Sequence, residues 1–502
     1  MKSKPLLFLG FDALDIPVTR SAASAGRMPT FKRLLDTWSQ VPTEAPPAVY
    51  VGAIWPSFFT CLNPGRHGRY CYEQLVPGTY DTRRILSHEY LDEPSFWHIL
   101  GEHGRRTAIL DVPLQGRPRP INGIQVFQWG AHDPEMPFHT DPPDLREDIL
   151  SHEGEYPIER RANAHRTTPE EFIGFRDRHL AGVRAKTALT ARIMEREPWD
   201  LCLSIYGEPH TAGHLLWHLH DPTHPSFSPQ IFERTGDAMM QVYEELDRGL
   251  AELLERARGR YRTVVFASHG MEAFYHLTFM LDEMLWAIEE ANRLTWRRRG
   301  LTAAAALIKA GRPLTQPRLQ PWLKGQVRIL AERYRTIPPR AQRAYFAIPN
   351  NKVCGGIRLN LAGREPQGIV RPAERDRVEA ALMADLHALR DPETRQPVVK
   401  RVYRARDVFN GERMQHLPDL FVEWTNHRFM AQVWSPKAGM IQGHWHFPRT
   451  GNHHPHGMLF VEPGAARTEH PSASVMDIGP TLCAAMGVEL PGVDGRVIAG
   501  LL

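Results

Sequence analysis

Apolar residues in this chain gather into short continuous runs, separated by stretches in which they recur every three or four positions. Leu6–Phe11 is the first such run and reads as a strand buried on both faces. A helix is predicted around Met28–Asp36, its entry marked by Pro29. Thr107–Val112 and Leu201–Tyr206 are further buried-type strands. Phe232–Arg258 has the periodicity of a long amphipathic helix with Gly259 as its stop, and Thr263–Ala267 follows at once as a strand. This alternation predicts an α/β fold on a mostly parallel sheet flanked by helices.

After Met271 the pattern changes. A basic, helix-rich stretch containing Trp296-Arg297-Arg298-Arg299 leads to a short β-like segment, Gly356–Leu361. Strand-like runs return at Asp419–Trp424 and Met458–Glu462, and a last helix starts near Asp477, placed as its N-cap. The expected organisation is a core formed by residues 1–271 and 417–502, with 272–416 inserted as a cap. The arginine run reads as a solvated helix face.

Composition narrows the class. Over 502 residues the formal charge is only +4, weaker than phosphate-driven nucleic-acid binding usually requires. A hydrophobic fraction of 42% and a mean hydropathy of −0.40 fit a globular chain, and no apolar run approaches the roughly 18–20 residues that span a bilayer. The first apolar run ends in Asp12 without a small-residue cleavage site, so no leader peptide is expected there. Five scattered cysteines without a CxxC pair argue against a disulfide framework and make a reducing cytoplasm the expected compartment.

The 25 histidines carry more information. Sites in parallel α/β sheets form beyond the carboxyl ends of strands. Asp12 ends the first strand, Glu208, His210 and His214 follow the third, and Ser268 and His269 follow Thr263–Ala267. If helix follows Pro209, His210 and His214 lie one turn apart on one face, as two ligands of one ion must. A distant third histidine from the group His444, His446, His453, His454 and His456 completes a site suited to zinc or a similar ion. His218, His220, His224, His444, His446 and His456, each taken singly, read as surface or hydrogen-bonded histidines. Trp55 to Gly68 looks like a helix bearing the hydroxyls Ser57 and Thr60, either activated nucleophiles or ordinary capping groups.

In this combination the sequence resembles the alkaline phosphatase superfamily, specifically its type I phosphodiesterase/nucleotide pyrophosphatase-like phosphohydrolases. Leu9-Gly10-Phe11-Asp12 resembles the first metal aspartate, and Trp55–Gly68 the nucleophile segment with its NPGKHG-like ending. Glu208–His214 resembles the DxxxH motif, and Ser268-His269-Gly270-Met271 the DHGM motif. Asn360–Val370, Leu417-Pro418-Asp419-Leu420, Gly451-Asn452-His453 and Asp477–Thr481 match later landmarks in order. The resemblance implies two divalent ions, commonly zinc, clamping a phosphoric ester. It places Asp12 and His269 on one ion, and His210, His214 and His453 on the other. It further implies a small-molecule phosphoester as substrate; the weak charge and the lack of a long apolar run lead to no nucleic-acid or membrane partner being expected, and a homodimer is the assembly guessed.

Departures from the family pattern matter equally. His210 stands where DxxxH has aspartate, and Ser268 where DHGM has aspartate. The usual nucleophile position, four residues before Trp55, is Val51, which has no nucleophilic atom. Cys61 replaces a customary glycine and reads as an ordinary apolar substitution. Two divalent ions bring four positive charges, whereas Asp12 alone remains of three aspartates, with Glu208 as a stand-in. The expectation is one ion held tightly by His210, His214 and His453 and a weak or empty Asp12/His269 position. The catalytic candidates are Thr60, Ser57 and Glu208, with attack by water as the alternative. Two other readings stay open: a one-metal enzyme of non-hydrolytic biosynthetic chemistry, and a degenerate phosphohydrolase that binds a ligand without turnover.

Overall fold

A computed structural model describes residues 4–502 except 86–90, 92, 116–118, 132–136, 159–164, 294–336, 445–447, 465–466 and 469. The arginine run at 297–299, with residues 294–336 of the predicted insertion, and His446 lie outside the described residues.

Nine strands form the central sheet. In chain order they are β1 (Leu6–Phe11), β2 (Ser39–Glu44), β3 (Thr107–Leu110), β4 (Gly123–Phe127), β5 (His139–Asp141), β6 (Leu201–Tyr206), β7 (Arg262–Ala267), β14 (His456–Val461) and β15 (Ala473–Ser474). Their spatial order is β15-β2-β14-β7-β1-β6-β3-β4-β5. The five at its heart, β7-β1-β6-β3-β4, run parallel, and β14 and β5 flank them antiparallel. Every residue of β1 and β6 is buried, as their uninterrupted apolar runs require. Leu7, Leu9 and Phe11 pack on one face, beneath the long helices α2 (Pro169–Arg196) and α4 (Ala238–Ala257). Leu6 and Phe8 pack on the other, against α1 (Tyr50–Thr60). Thr168 and Glu171 cap α2 reciprocally, with Pro169 at its first turn.

The predicted helix Phe232–Arg258 is two helices. Pro229–Thr235 ends at Gly236, whose φ is 62°, and Asp237 restarts the chain by accepting from Met240 N. A glycine in left-handed conformation and a capping aspartate stop one helix and start another inside a single apolar period.

A second, four-stranded antiparallel sheet holds β9 (Tyr345–Ile348), β10 (Gly355–Leu359), β11 (Val399–Arg404) and β12 (Leu420–Trp424), in the order β9-β10-β12-β11. The strand at 420–424, expected in the core, thus pairs with the insertion, and the hydrophobic cluster around it extends to Ile441. Finally β8 (Gly270–Ala273) pairs antiparallel with β13 (Gly451–His454), a two-stranded ribbon at the carboxyl edge of the central sheet. Among the described residues, no helix is long and apolar enough to cross a membrane.

Candidate metal centre

Strand register brings the candidate residues together. Phe11 lies level with Tyr206 on one side and Ala267 on the other. The residues just past these three strand ends are Asp12, Gly207 and Ser268, side by side at one edge. Helix α3 (Glu208–His220) starts there, with Pro209 in its first turn, so His210 and His214 face the same way one turn apart.

The third histidine arrives on the ribbon. Met271 pairs with His453 and packs on Gly213 of α3, while Gly451 lies so close to α3 that a Cβ there would sit 2.2 Å from Gly213 O. That approach demands glycine at 451. It is fixed by two bonds of 2.8 Å: Thr450 N donates to His214 O, and His214 Nδ1 donates to Gly451 O. The result is a cluster in which His210, His214 and His453 each offer one nitrogen, all within 4.8 Å of one another. Their ring centroids are 4.5–4.9 Å apart, and His269 stands 4.5 Å from His453. Donation of Nδ1 to Gly451 O leaves the lone pair of His214 on Nε2, the nitrogen able to coordinate an ion, and in this structure Arg449 Nη1 approaches that nitrogen at 3.2 Å. Three imidazole nitrogens at this spacing could hold one divalent ion.

Asp12, Ser268 and His269 are arranged differently. Trp55 Nε1 donates to Asp12 Oδ1 at 3.0 Å. Ser268 Oγ accepts from Ala13 N and lies 2.9 Å from His269 Nδ1 and 3.3 Å from Asp12 Oδ1. A serine hydroxyl thus occupies the place between Asp12 and His269 and bonds them to each other's surroundings. Burial pushes Asp12 up to about 7, against the lowering effect of its bonds from Trp55 and Ser268. Glu208 looks elsewhere. Tyr156 donates to its carboxylate, and the buried Lys186–Asp111 ion pair lies nearby. Burial raises its pKa, which Lys186 and the Tyr156 hydrogen bond oppose.

The hydroxyl segment is α1. Val51 is in its first turn, one turn before Trp55, on the helix face that reaches Asp12. Ser57 Oγ lies 2.9 Å from His67 Nε2, while His67 Nδ1 accepts from Arg69 N. His67 is held neutral, its pKa lowered to about 3 by burial, so its proton is on Nε2 and donates to Ser57. Thr60 Oγ1 donates to Pro56 O at 2.6 Å and accepts from Leu62 N. Both hydroxyls are engaged within their own segment. Cys61 is the helix's left-handed cap at φ 59°, the conformation a glycine there would supply, and burial raises its thiol well above the usual range.

The remaining histidines have other partners. His454 meets Asp15 at 2.8 Å on the opposite face of the ribbon from His453. His218 bonds Thr450, His220 bonds Asp237, and His456 bonds Glu44. His224 stacks on Tyr275, and His444 is exposed. Sequence reasoning missed Arg449, whose Nη1 lies 3.2 Å from His214 Nε2. Its signal was available: a basic residue four positions ahead of His453.

Comparison with known proteins bears on the fold and the family. Among curated proteins no sequence matches the chain. Phosphonoacetate hydrolase from Sinorhizobium meliloti 1021, in complex with phosphonoformate, shares the fold with a TM-score of 0.52 at 14% identity, covering 97% of this chain and 96% of that one. Murine ectonucleotide pyrophosphatase/phosphodiesterase 5 in complex with AMP gives 0.50 at 12% identity, covering 99% and 98%. The sequence profile described as type I phosphodiesterase/nucleotide pyrophosphatase matches residues 6–451. On that match, the chain belongs to that family, within the alkaline phosphatase superfamily.

Proposed function

We propose that this chain hydrolyses a phosphoric ester, a phosphodiester or nucleotide-like compound, at a site that holds one divalent ion tightly. The observation that carries the reading is the convergence of His210, His214 and His453 within 4.8 Å, beside an Asp12–Ser268–His269 group already joined by hydrogen bonds. Family membership supports ester hydrolysis as the reaction class. When bound, a zinc ion supplies Lewis-acid polarisation of a phosphoryl oxygen and a lowered pKa for water.

The chain's own contributions follow from its geometry. Gly451 O holds His214 in one tautomer, and β8–β13 pairing holds His453 opposite it. Arg449, now 3.2 Å from His214 Nε2, would yield that nitrogen to a bound ion and turn its guanidinium to an ester's oxygens. Val51 offers no nucleophile, and Ser57 and Thr60 are engaged elsewhere, so water is the attacking group.

Hydrolysis of bis(4-nitrophenyl) phosphate tests this reading. Turnover should vanish after chelation, return with one equivalent of zinc, and be absent in His214→Ala. Turnover undiminished in the metal-stripped chain would refute it. Tight uptake of redox-active iron without hydrolysis would favour the non-hydrolytic one-metal reading instead.

A further inference from the structure

Asp15 is buried and lies just past Asp12, on a turn where Ala13 takes φ 58°. Its carboxylate accepts hydrogen bonds from three separate segments. Val18 N donates to Oδ1 at 2.7 Å, which caps the helix Ile16–Ser24. Met271 N of β8 donates to Oδ2 at 3.2 Å, and His454 Nε2 of β13 lies 2.8 Å from the same oxygen. His456 N donates to His454 Nδ1 at 3.3 Å, so the ring proton is on Nε2 and is given to Asp15. Asp15 is anchored in turn by its own N–H, which donates to the Tyr243 hydroxyl of α4 at 3.2 Å.

One carboxylate therefore ties both strands of the ribbon to the turn that carries Asp12. Register gives the tie its consequence, because Met271 pairs with His453 and Gly270 with His454. Adjacent residues of a strand point to opposite faces, so a ring held at 454 on one face sets the ring at 453 on the other, toward α3. Gly270 leaves the passage open: a Cβ there would overlap the His454 ring and sit 2.8 Å from Asp15 Oδ2. Resting on the one-ion reading of the cluster, we infer that Asp15 is a positioning residue. Acting through His454 and Met271, it fixes how far His453 stands from His210 and His214, and so how tightly their nitrogens hold an ion.

Zinc affinity of the full chain, read by chelator competition, tests this with three variants. Asp15→Asn keeps a side chain suited to the helix cap but brings one oxygen to meet all three donors. His454→Leu leaves the cap untouched and removes the tie to β13. His454→Gln can still donate an N–H to Asp15. Asp15→Asn and His454→Leu should each weaken zinc at least tenfold, the scale of losing a group that orients a metal ligand, and His454→Gln should stay within about threefold of wild type. A carboxylate that served only the helix cap would leave His454→Leu at wild-type affinity. That result would overturn the inference, as would wild-type affinity in Asp15→Asn or a His454→Gln chain as weak as His454→Leu.

A second readout needs neither an ion nor turnover. Crystal structures of the metal-free proteins should keep the His214–His453 ring separation at 4.5 Å in wild type and His454→Gln. In Asp15→Asn and His454→Leu it should change by more than about 0.5 Å, the tolerance of a working site. The two readouts separate this inference from the reading it rests on. If wild type takes up no zinc but the separation changes in both variants, Asp15 positions the cluster and the one-ion reading fails. If zinc binds and neither affinity nor separation changes, the ion and the hydrolysis stand and the positioning role fails.

Discussion

Restoring a carboxylate at position 268 probes why a second ion should be held poorly. Ser268 Oγ lies 3.3 Å from Asp12 Oδ1, and both residues are buried. Two carboxylates at that separation repel by about 5 kcal/mol at an effective dielectric of about 20. The metal-free Ser268→Asp chain should therefore be less stable than wild type, by up to that amount and by less once one carboxyl takes up a proton. Zinc reverses the sign, because the pair then faces a divalent cation. A second ion at a hundredfold excess over its Kd adds about 2.7 kcal/mol. With unfolding entropy near 2.1 cal/mol/K per residue, 502 residues give about 1 kcal/mol/K, so the second ion raises Tm by about 2–3 °C. Thermal melts with and without zinc should show that extra rise in Ser268→Asp beyond the wild-type response, with equilibrium dialysis counting the additional ion. An identical zinc response in the two proteins would refute the idea that missing carboxylate charge keeps this position weak.

Other predictions follow from single contacts. His214→Ala should lower zinc affinity at least 100-fold in a chelator competition, since second-sphere losses alone cost 10- to 100-fold. Ser57→Ala should leave kcat within about threefold while stability falls by roughly 1–3 kcal/mol, because His67 Nε2–H loses its buried acceptor. Rapid-quench mass spectrometry on wild type and Thr60→Val should detect no phosphoenzyme, whereas a phosphoryl group on Ser57 or Thr60 would refute attack by water. His179 is buried and its pKa is lowered to about 4 by burial, below the unfolded value near 6.5. The unfolded chain therefore takes up its proton first, and stability present above pH 6.5 is lost as pH falls toward 4. Between pH 7.5 and 5 the loss from this residue is about 2 kcal/mol. Urea melts of His179→Leu should show a shallower decline over that interval, and parallel declines would contradict the assignment.

Much of this arrangement was legible in the chain. β1, β6 and β7 are buried on both faces, so their sequences are continuous apolar runs whose ends can be read directly. His210 and His214 needed only the helix that Pro209 begins. Choosing His453 over its neighbour His454 needed more, because adjacent strand residues point to opposite faces and only the pairing with β8 decides which one meets α3. The motif resemblance supplied that choice. The strand at 420–424 was misplaced because an apolar run looks the same in either sheet. Glu208 was read as a stand-in ligand because its partner Tyr156 lies 52 residues upstream, with no local signal joining them. A cavity beside Arg449 is assembled from five separated segments, and nothing in their individual patterns announces it.

Metal content decides whether this chain holds one ion or two. Elemental analysis of chain purified without a histidine tag or chelator should give one divalent ion per chain, zinc first, falling to near zero in His214→Ala. Two ions at full occupancy at neutral pH would contradict the account, since Asp12, Ser268 and His269 would then hold a cation that their charge is argued to hold poorly.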